Sequence, residues 1–287
     1  MPNIRRDNFV VYENGVRQQT ANVDVEHAPI SLELLMEFGG RTPGFNRELG
    51  HEVSRAGQQL VDEIGKEDTI AIWKYNDKVQ KLADFSQSRD TLSTLFFTLG
   101  TPEFSEVNLY DALIFIVGQM QPLTKRKAIV LVSSGVDTFS KAKYEDVLKA
   151  VSQADTPIYV VSLARVLHEI AEMHDHPTAL ARIGWRKAET QLQEIARVSG
   201  GRAYSPENTV DLSPIYDDMM EDLRIRYVIT YRSSNDLDPN SPRQVRVELL
   251  NSSQTADARA TKDIRGGAIP TKVIAQGSYI PSAFVRR

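Results

Sequence analysis

The chain has 287 residues, 41% of them hydrophobic and 25% charged, with a net charge of −4 and no cysteine. These values fit a globular protein and exclude wholesale disorder; a disulfide scaffold, thiolate-held metals and a cysteine nucleophile are excluded as well. The mild acidic surplus argues against nucleic acid as a partner, and the length fits one large domain or a domain with an appendage.

The first segment reads as a hairpin. Phe9-Val10-Val11-Tyr12 is β-prone, Asn14-Gly15 is a strong short turn signal, and the chain resumes extended from Val16 until His27-Ala28-Pro29. The apolar-rich run Ile30–Glu37 predicts a buried strand that delivers its C-terminal end to a Gly39-Gly40 turn. A helix is expected from about Asn46 to Ile64. Asp68–Tyr75 and Val79–Phe85 then read as a strand pair, and Ser88–Leu99 as a helix stopped by Gly100. Asn108–Met120 is a helix with an apolar middle, Lys127–Val132 a buried strand ending in Ser133-Ser134-Gly135, and Tyr144–Ala154 an amphipathic helix. Pro157–Leu163 predicts another buried strand. A polar stretch with histidines, a helix to about Ser199, a short strand at Arg202–Tyr204 and a helix over Asp211–Leu223 follow.

This alternation predicts an α/β fold, a doubly wound and mostly parallel sheet with helices on both faces. The expected α/β domain spans 29–225. The tail carries strand patterns at Arg226–Tyr231 and Gln244–Leu250, with Asn235–Pro242 as a turn cluster between them, and a weaker strand at Lys272–Tyr279. No helix intervenes, so 1–28 and 226–287 are expected to form one small antiparallel β unit, because a lone hairpin is only marginally stable. Sites in doubly wound sheets lie at the carboxyl ends of strands, here Glu37–Arg41 and Ser133–Asp137.

Several chemistries lack their residues. There is no GxGxxG and no GxxxxGK[ST], and the Ser133-Ser134-Gly135 turn has no leading glycine of a nucleophile elbow. His168-Glu169-Ile170-Ala171-Glu172 begins like the zinc-protease HExxH but ends in Glu172. His174 and His176 are a weak alternative metal pair; a solvated loop explains them better. Lys125-Arg126-Lys127 reads as a solvated turn rather than a nucleic-acid patch. Apolar stretches such as Ala112–Val117 fall well short of the about 18–20 residues of a membrane span. No cofactor is expected.

Five stretches together resemble a von Willebrand factor A (VWA) domain, and more narrowly the VWFA-related proteins of Acidobacteria. They are Phe9–Gly15, Pro29–Leu35, Asn108-Leu109-Tyr110-Asp111-Ala112-Leu113, Ala128–Thr138 and Ile195–Tyr204. The resemblance implies a non-enzymatic recognition module with a protein partner. It also implies a metal-ion-dependent adhesion site (MIDAS), with a D-x-S-x-S motif after the first strand, a Thr before the middle helix and an Asp after the fourth strand. At the matching positions this chain has Glu37, Gly39, Arg41, Val107 and Ser134. Two hydroxyls and a carboxylate are missing and Glu37 is one methylene longer. Arg41 sets a cation where Mg²⁺ would sit, a repulsion of about 1–4 kcal/mol. The site is therefore expected to be degenerate and to hold no metal.

Without an ion, the candidate binding surface is Phe38, Arg41, Phe45 and Glu106; a plainer reading places Phe38 and Phe45 partly in the core and leaves Arg41 solvated or paired with Glu37. The alternative is an anion or small-molecule site around Arg41, Ser133 and Ser134, with hydrolytic chemistry as its extension. Asp111 is expected to interact with its own helix N-terminus, and Asp137 to serve a turn. The resemblance implies export if a leader precedes this sequence, and otherwise a cytoplasmic location.

Overall fold

The computed structural model describes residues 6–27, 29–40, 43–120, 126–154, 156–173, 184–234, 243–249 and 278–279. Among these the elements are, in chain order, β1 (Phe9–Glu13), β2 (Val16–Gln18), β3 (Thr20–His27), β4 (Ser31–Glu37), β5 (Gly39–Gly40), α1 (Pro43–Glu63), β6 (Thr69–Tyr75), β7 (Val79–Ala83), α2 (Arg89–Thr98), β8 (Glu103–Phe104), α3 (Leu109–Met120), β9 (Lys127–Ser133), α4 (Tyr144–Gln153), β10 (Ile158–Ser162), α5 (Ala164–Met173), α6 (Trp185–Ser199), β11 (Ala203–Tyr204), α7 (Ser213–Arg224), β12 (Ile225–Tyr231), β13 (Arg243–Leu249) and β14 (Ser278–Tyr279). Contacts divide the chain into two compact units, Ala28–Arg224 and Met1–His27 with Ile225–Arg287.

The larger unit is a doubly wound α/β fold. Its six-stranded sheet has the order β11-β10-β9-β4-β6-β7, parallel except for the β6–β7 hairpin. β4 lies between β6 and β9, so both of its edges are paired; helices cover both faces, and all seven of its residues are buried. Its side chains alternate. Leu32, Leu34 and Met36 join a core built by α1, α2, α5 and α7; Leu35 points to the other face, with Leu113, Ile116 and Val117 of α3, Val147 and Val151 of α4, and Leu192 of α6. Ser31, Glu33 and Glu37 share the alternation of Leu35. An apolar-rich strand thus carries two buried acids into one layer.

Local signals explain where elements begin. The Ser88 hydroxyl accepts the Thr91 N–H at the start of α2. The tyrosine in the otherwise apolar face of α7, Tyr216, is fully buried and donates from its hydroxyl to the Ala56 carbonyl of α1. Gly39-Gly40 differs from expectation. It forms a short strand, β5, paired in parallel with β8, instead of a tight turn.

In the smaller unit, β1 pairs antiparallel with β2 across the Asn14-Gly15 turn, and with β13 on its other side, where Phe9 faces Leu249 and Glu13 faces Val245. The extended stretch after Val16 is cut in two. β2 stays in the β14-β13-β1-β2 sheet, while β3 pairs with β12 in a second sheet. Buried Glu13 accepts hydrogen bonds from the Tyr231 and Ser233 hydroxyls, each 2.7 Å. The Phe9 and Tyr227 rings pack with centroids 5.2 Å apart. The turn cluster Asn235–Pro242 and the first part of the weak strand expected at Lys272–Tyr279 lie outside the described residues; Ser278–Tyr279 is β14.

Candidate functional site

Glu37 ends β4 at the carboxyl edge of the sheet, beside the end of β9. Its carboxylate is 3% exposed and receives a full set of donors. The Ser134 N–H donates to Oε2 at 2.7 Å, the Ser133 hydroxyl donates to Oε2 at 2.9 Å, and the Ser134 hydroxyl lies 2.8 Å from both oxygens. Tyr75, across from Glu37 on β6, lies 2.8 Å from Ser133 Oγ and 3.4 Å from Oε2 through its hydroxyl. The serine oxygens in turn accept backbone N–H groups, Gly135 on Ser133 at 2.9 Å and Val136 on Ser134 at 3.2 Å. Burial raises the Glu37 pKa, with the Ser134 N–H and the hydroxyls pulling it back. Burial, then the neighbouring carboxylate, lifts Tyr75 well above the usual phenol value.

The hydrogen bonds of these residues differ from those of ligands to a MIDAS ion. A hydroxyl ligand offers a lone pair to the metal, but the two serines aim their protons at Glu37 and use oxygen lone pairs on backbone N–H groups. Gly39, at the place of the first MIDAS serine, has no room for one: a Cβ there would stand 2.6 Å from Ser105 Oγ and 2.7 Å from Asn76 Cβ. Val107, at the threonine position, packs its side chain in the core. Gly135 turns the chain after Ser134 with φ +79, and a Cβ there would meet Leu192 and the Ala188 carbonyl. Among the described residues no group of three or more His, Asp or Glu is arranged to hold a metal.

The same geometry bears on the anion site. Ser134 is buried, and its hydroxyl and N–H are already committed to the chain's own Glu37 carboxyl group. No small-molecule anion needs to enter to satisfy them.

The loop between β9 and α4 is latched to the start of α3. Thr138 donates its N–H to the Val107 carbonyl at 2.8 Å and accepts the Val107 N–H on its hydroxyl at 2.8 Å. Asp137 accepts the Tyr110 N–H at 3.2 Å and the Ser140 hydroxyl. Asp111 accepts the N–H groups of Lys141 and Ala142, both at 2.9 Å. Asp137 keeps its expected turn role, accepting the Ser140 N–H at 3.4 Å, and adds a second one, while Asp111 departs from expectation. Asp111, placed in the first turn of α3, braces the loop, while Asp137, in the loop, serves the α3 N-terminus.

Phe38 requires a correction. It is 3% exposed, its N–H continues the sheet to the Tyr75 carbonyl at 2.7 Å, and its side chain joins the core under the Lys74 ammonium, 5.0 Å from the ring centroid. It offers no exposed binding surface. Glu106 is half-buried in the loop before α3. Arg41, His174 and His176 lie outside the described residues, as does the side chain of Phe45 in the first turn of α1.

Sequence reasoning missed two residues here. Tyr75 closes the network below Glu37, and Phe139, at the tip of the latched loop, is 74% exposed. A large apolar residue inside the polar run Asp137–Lys143 was the available signal for the second. Tyr75 had none, since an aromatic at a strand end usually reads as core.

No family model matches this chain, and no curated protein matches it. Solved structures do resemble it. An aerotolerance-related membrane protein from Bacteroides fragilis is 10% identical, with a TM-score of 0.50 over 67% of this chain and 99% of that one. Proximal thread matrix protein 1 from the mussel byssus, in its second crystal form, is 12% identical, with a TM-score of 0.51 over 74% of this chain and 50% of that one. A von Willebrand factor type A protein from Catenulispora acidiphila stands slightly lower, at 12% identity and a TM-score of 0.49 over 76% of this chain and 50% of that one. At such identities the likeness is one of fold alone. The two structures with TM-scores of 0.50 and 0.51 support the α/β fold. Among the described residues no helix is long and apolar enough to cross a membrane.

Proposed function

We propose that this chain is a non-enzymatic, protein-binding module of VWA type that works without a metal ion. On its five sequence stretches it is most like the VWFA-related proteins of Acidobacteria. The observation that supports the metal-free reading is the Glu37 carboxylate, held by the Ser133 and Ser134 hydroxyls and the Ser134 N–H. In a MIDAS the ion joins the ends of the first and fourth VWA strands; here a longer acid spans the gap and joins them directly. The rigid sheet then serves as a platform for contacts made by surface loops. A catalytic role for Ser134 has little support, because the residue is buried and its hydroxyl is committed to Glu37.

Titration calorimetry with Mg²⁺ and Mn²⁺ tests this reading. The expected result is no micromolar site in the wild-type chain. Partner capture that survives excess EDTA and weakens in Arg41→Glu is expected as well. A micromolar metal site, or capture abolished by EDTA, overturns the metal-free reading.

A further inference from the structure

The Thr138–Tyr144 segment combines features that are usually opposed. Its backbone is held at almost every polar step: Thr138 to Val107, Lys141 and Ala142 to Asp111, and the Lys143 N–H to Asp146 at 2.9 Å. Three of its side chains nonetheless face water. Phe139 is 74% exposed, and Lys141 and Lys143 are exposed, with no ion pair to either ammonium among the described residues. A free loop would fold a phenylalanine back onto the nearest apolar surface; this loop is fastened on both sides of Phe139.

We propose that Phe139, flanked by Lys141 and Lys143, is the anchor of a docking loop that inserts into an apolar pocket on an acidic partner protein. The proposal rests on the protein-binding reading above and names the surface and the partner chemistry for it. Three observations support it. The loop leaves the carboxyl end of β9, the edge at which doubly wound sheets bind their ligands. An aromatic ring on a fixed backbone loses little freedom on binding, which is the composition and rigidity of a hot spot. The segment carries two lysines and no carboxylate, so it complements an acidic rim around that pocket. Glu145 and Asp146 follow in the first turn of α4, where Asp146 is committed to the Lys143 N–H.

The test pans the full chain against a random-peptide display library and measures affinities of the enriched peptides by fluorescence anisotropy. The expected peptides are acidic and carry a large apolar side chain. Phe139→Ala is expected to weaken them by about tenfold or more. The double variant Lys141→Glu, Lys143→Glu is expected to weaken them further and to flatten their salt dependence. Phe139→Ala should melt with the wild type, since its ring makes little contact with the core; this separates lost binding from lost folding. Neutral or basic peptides, or wild-type affinity in Phe139→Ala, overturn the proposal. Should enriched peptides protect a different face in amide hydrogen exchange, this loop is rejected while the protein-binding reading stands. A library that yields no binder counts against both.

Discussion

Glu33 and Glu37 occupy the same face of β4, and both are buried, at 2% and 3% exposure. Their surroundings differ completely. Glu37 receives two serine hydroxyls and a backbone N–H, with a tyrosine behind them. Glu33 has one carboxylate oxygen, Oε2, without a hydrogen-bond partner among the described residues. Burial raises its pKa to about 7, against the pull of the Lys81 ammonium. The pair teaches that burial alone says nothing about what an acid contributes. At the strand end the acid organises a junction between β4, β6 and β9; in mid-strand it is a cost the surrounding core absorbs.

The largest expected effect breaks the comparison at its strong side. Glu37→Ala leaves buried hydroxyls and an N–H without their acceptor and should lower stability by about 3–5 kcal/mol, read by urea unfolding. A loss under about 1 kcal/mol would show that the network is dispensable. Next, Gly39→Ser tests whether the junction can be returned to a metal site. The crowding by Ser105 and Asn76 should cost about 1–3 kcal/mol, with no affinity for Mg²⁺ gained in calorimetry.

Glu33→Gln sharpens the weak side. The folded pKa of about 7 lies above the ordinary 4.5, so the folded state prefers the protonated acid. Its contribution is fully favourable below the unfolded value and is lost as pH rises through about 7. The variant should therefore match the wild type near pH 4 and exceed it by about 1–2 kcal/mol near pH 8, after allowance for solvent screening. Equal melting at both pH values removes the assignment. The smallest effect concerns the latch. Asp111→Ala should speed amide exchange at Lys141 and Ala142 by about tenfold while global stability falls by about 1 kcal/mol. Unchanged exchange at those two amides would show that the carboxylate does not hold the loop.

Much of the fold was legible because buried parallel strands announce themselves. Ala128–Val132 and Ile158–Val161 are continuous apolar runs, and α3 carries the apolar stretch Ala112–Val117. What was hidden depends on partners distant in sequence. β3 alternates Val23 and Val25 with Asn22, Asp24 and Glu26, so its extended form was expected, but its pairing with β12 in a separate sheet is a register no local pattern encodes. Gly39-Gly40 looks like a turn until Glu103-Phe104 lies beside it. At the site, comparison with the MIDAS pattern located Glu37 and Ser134 but not the bonds between them. Direct contact between an acid on the first strand of the α/β unit and a serine after the fourth exists only once the sheet has formed. Phe38 was misplaced for a related reason. It follows the last residue of β4, and one further alternation carries it inward.

The smaller unit is assembled from the two ends of the chain, with β1 paired to β13 and β3 paired to β12. On the ribosome this imposes an order of events. At roughly 5–20 residues per second, β1 emerges roughly ten to fifty seconds before β13 is made. The α/β unit, whose strands all lie between Ser31 and Tyr204, can close its sheet in that interval. Until β13 is made, β1 lacks that partner on its second edge. The Asn14-Gly15 turn and the buried Glu13, which Tyr231 and Ser233 satisfy, thus belong to a structure that can be completed only after the α/β unit has been synthesised.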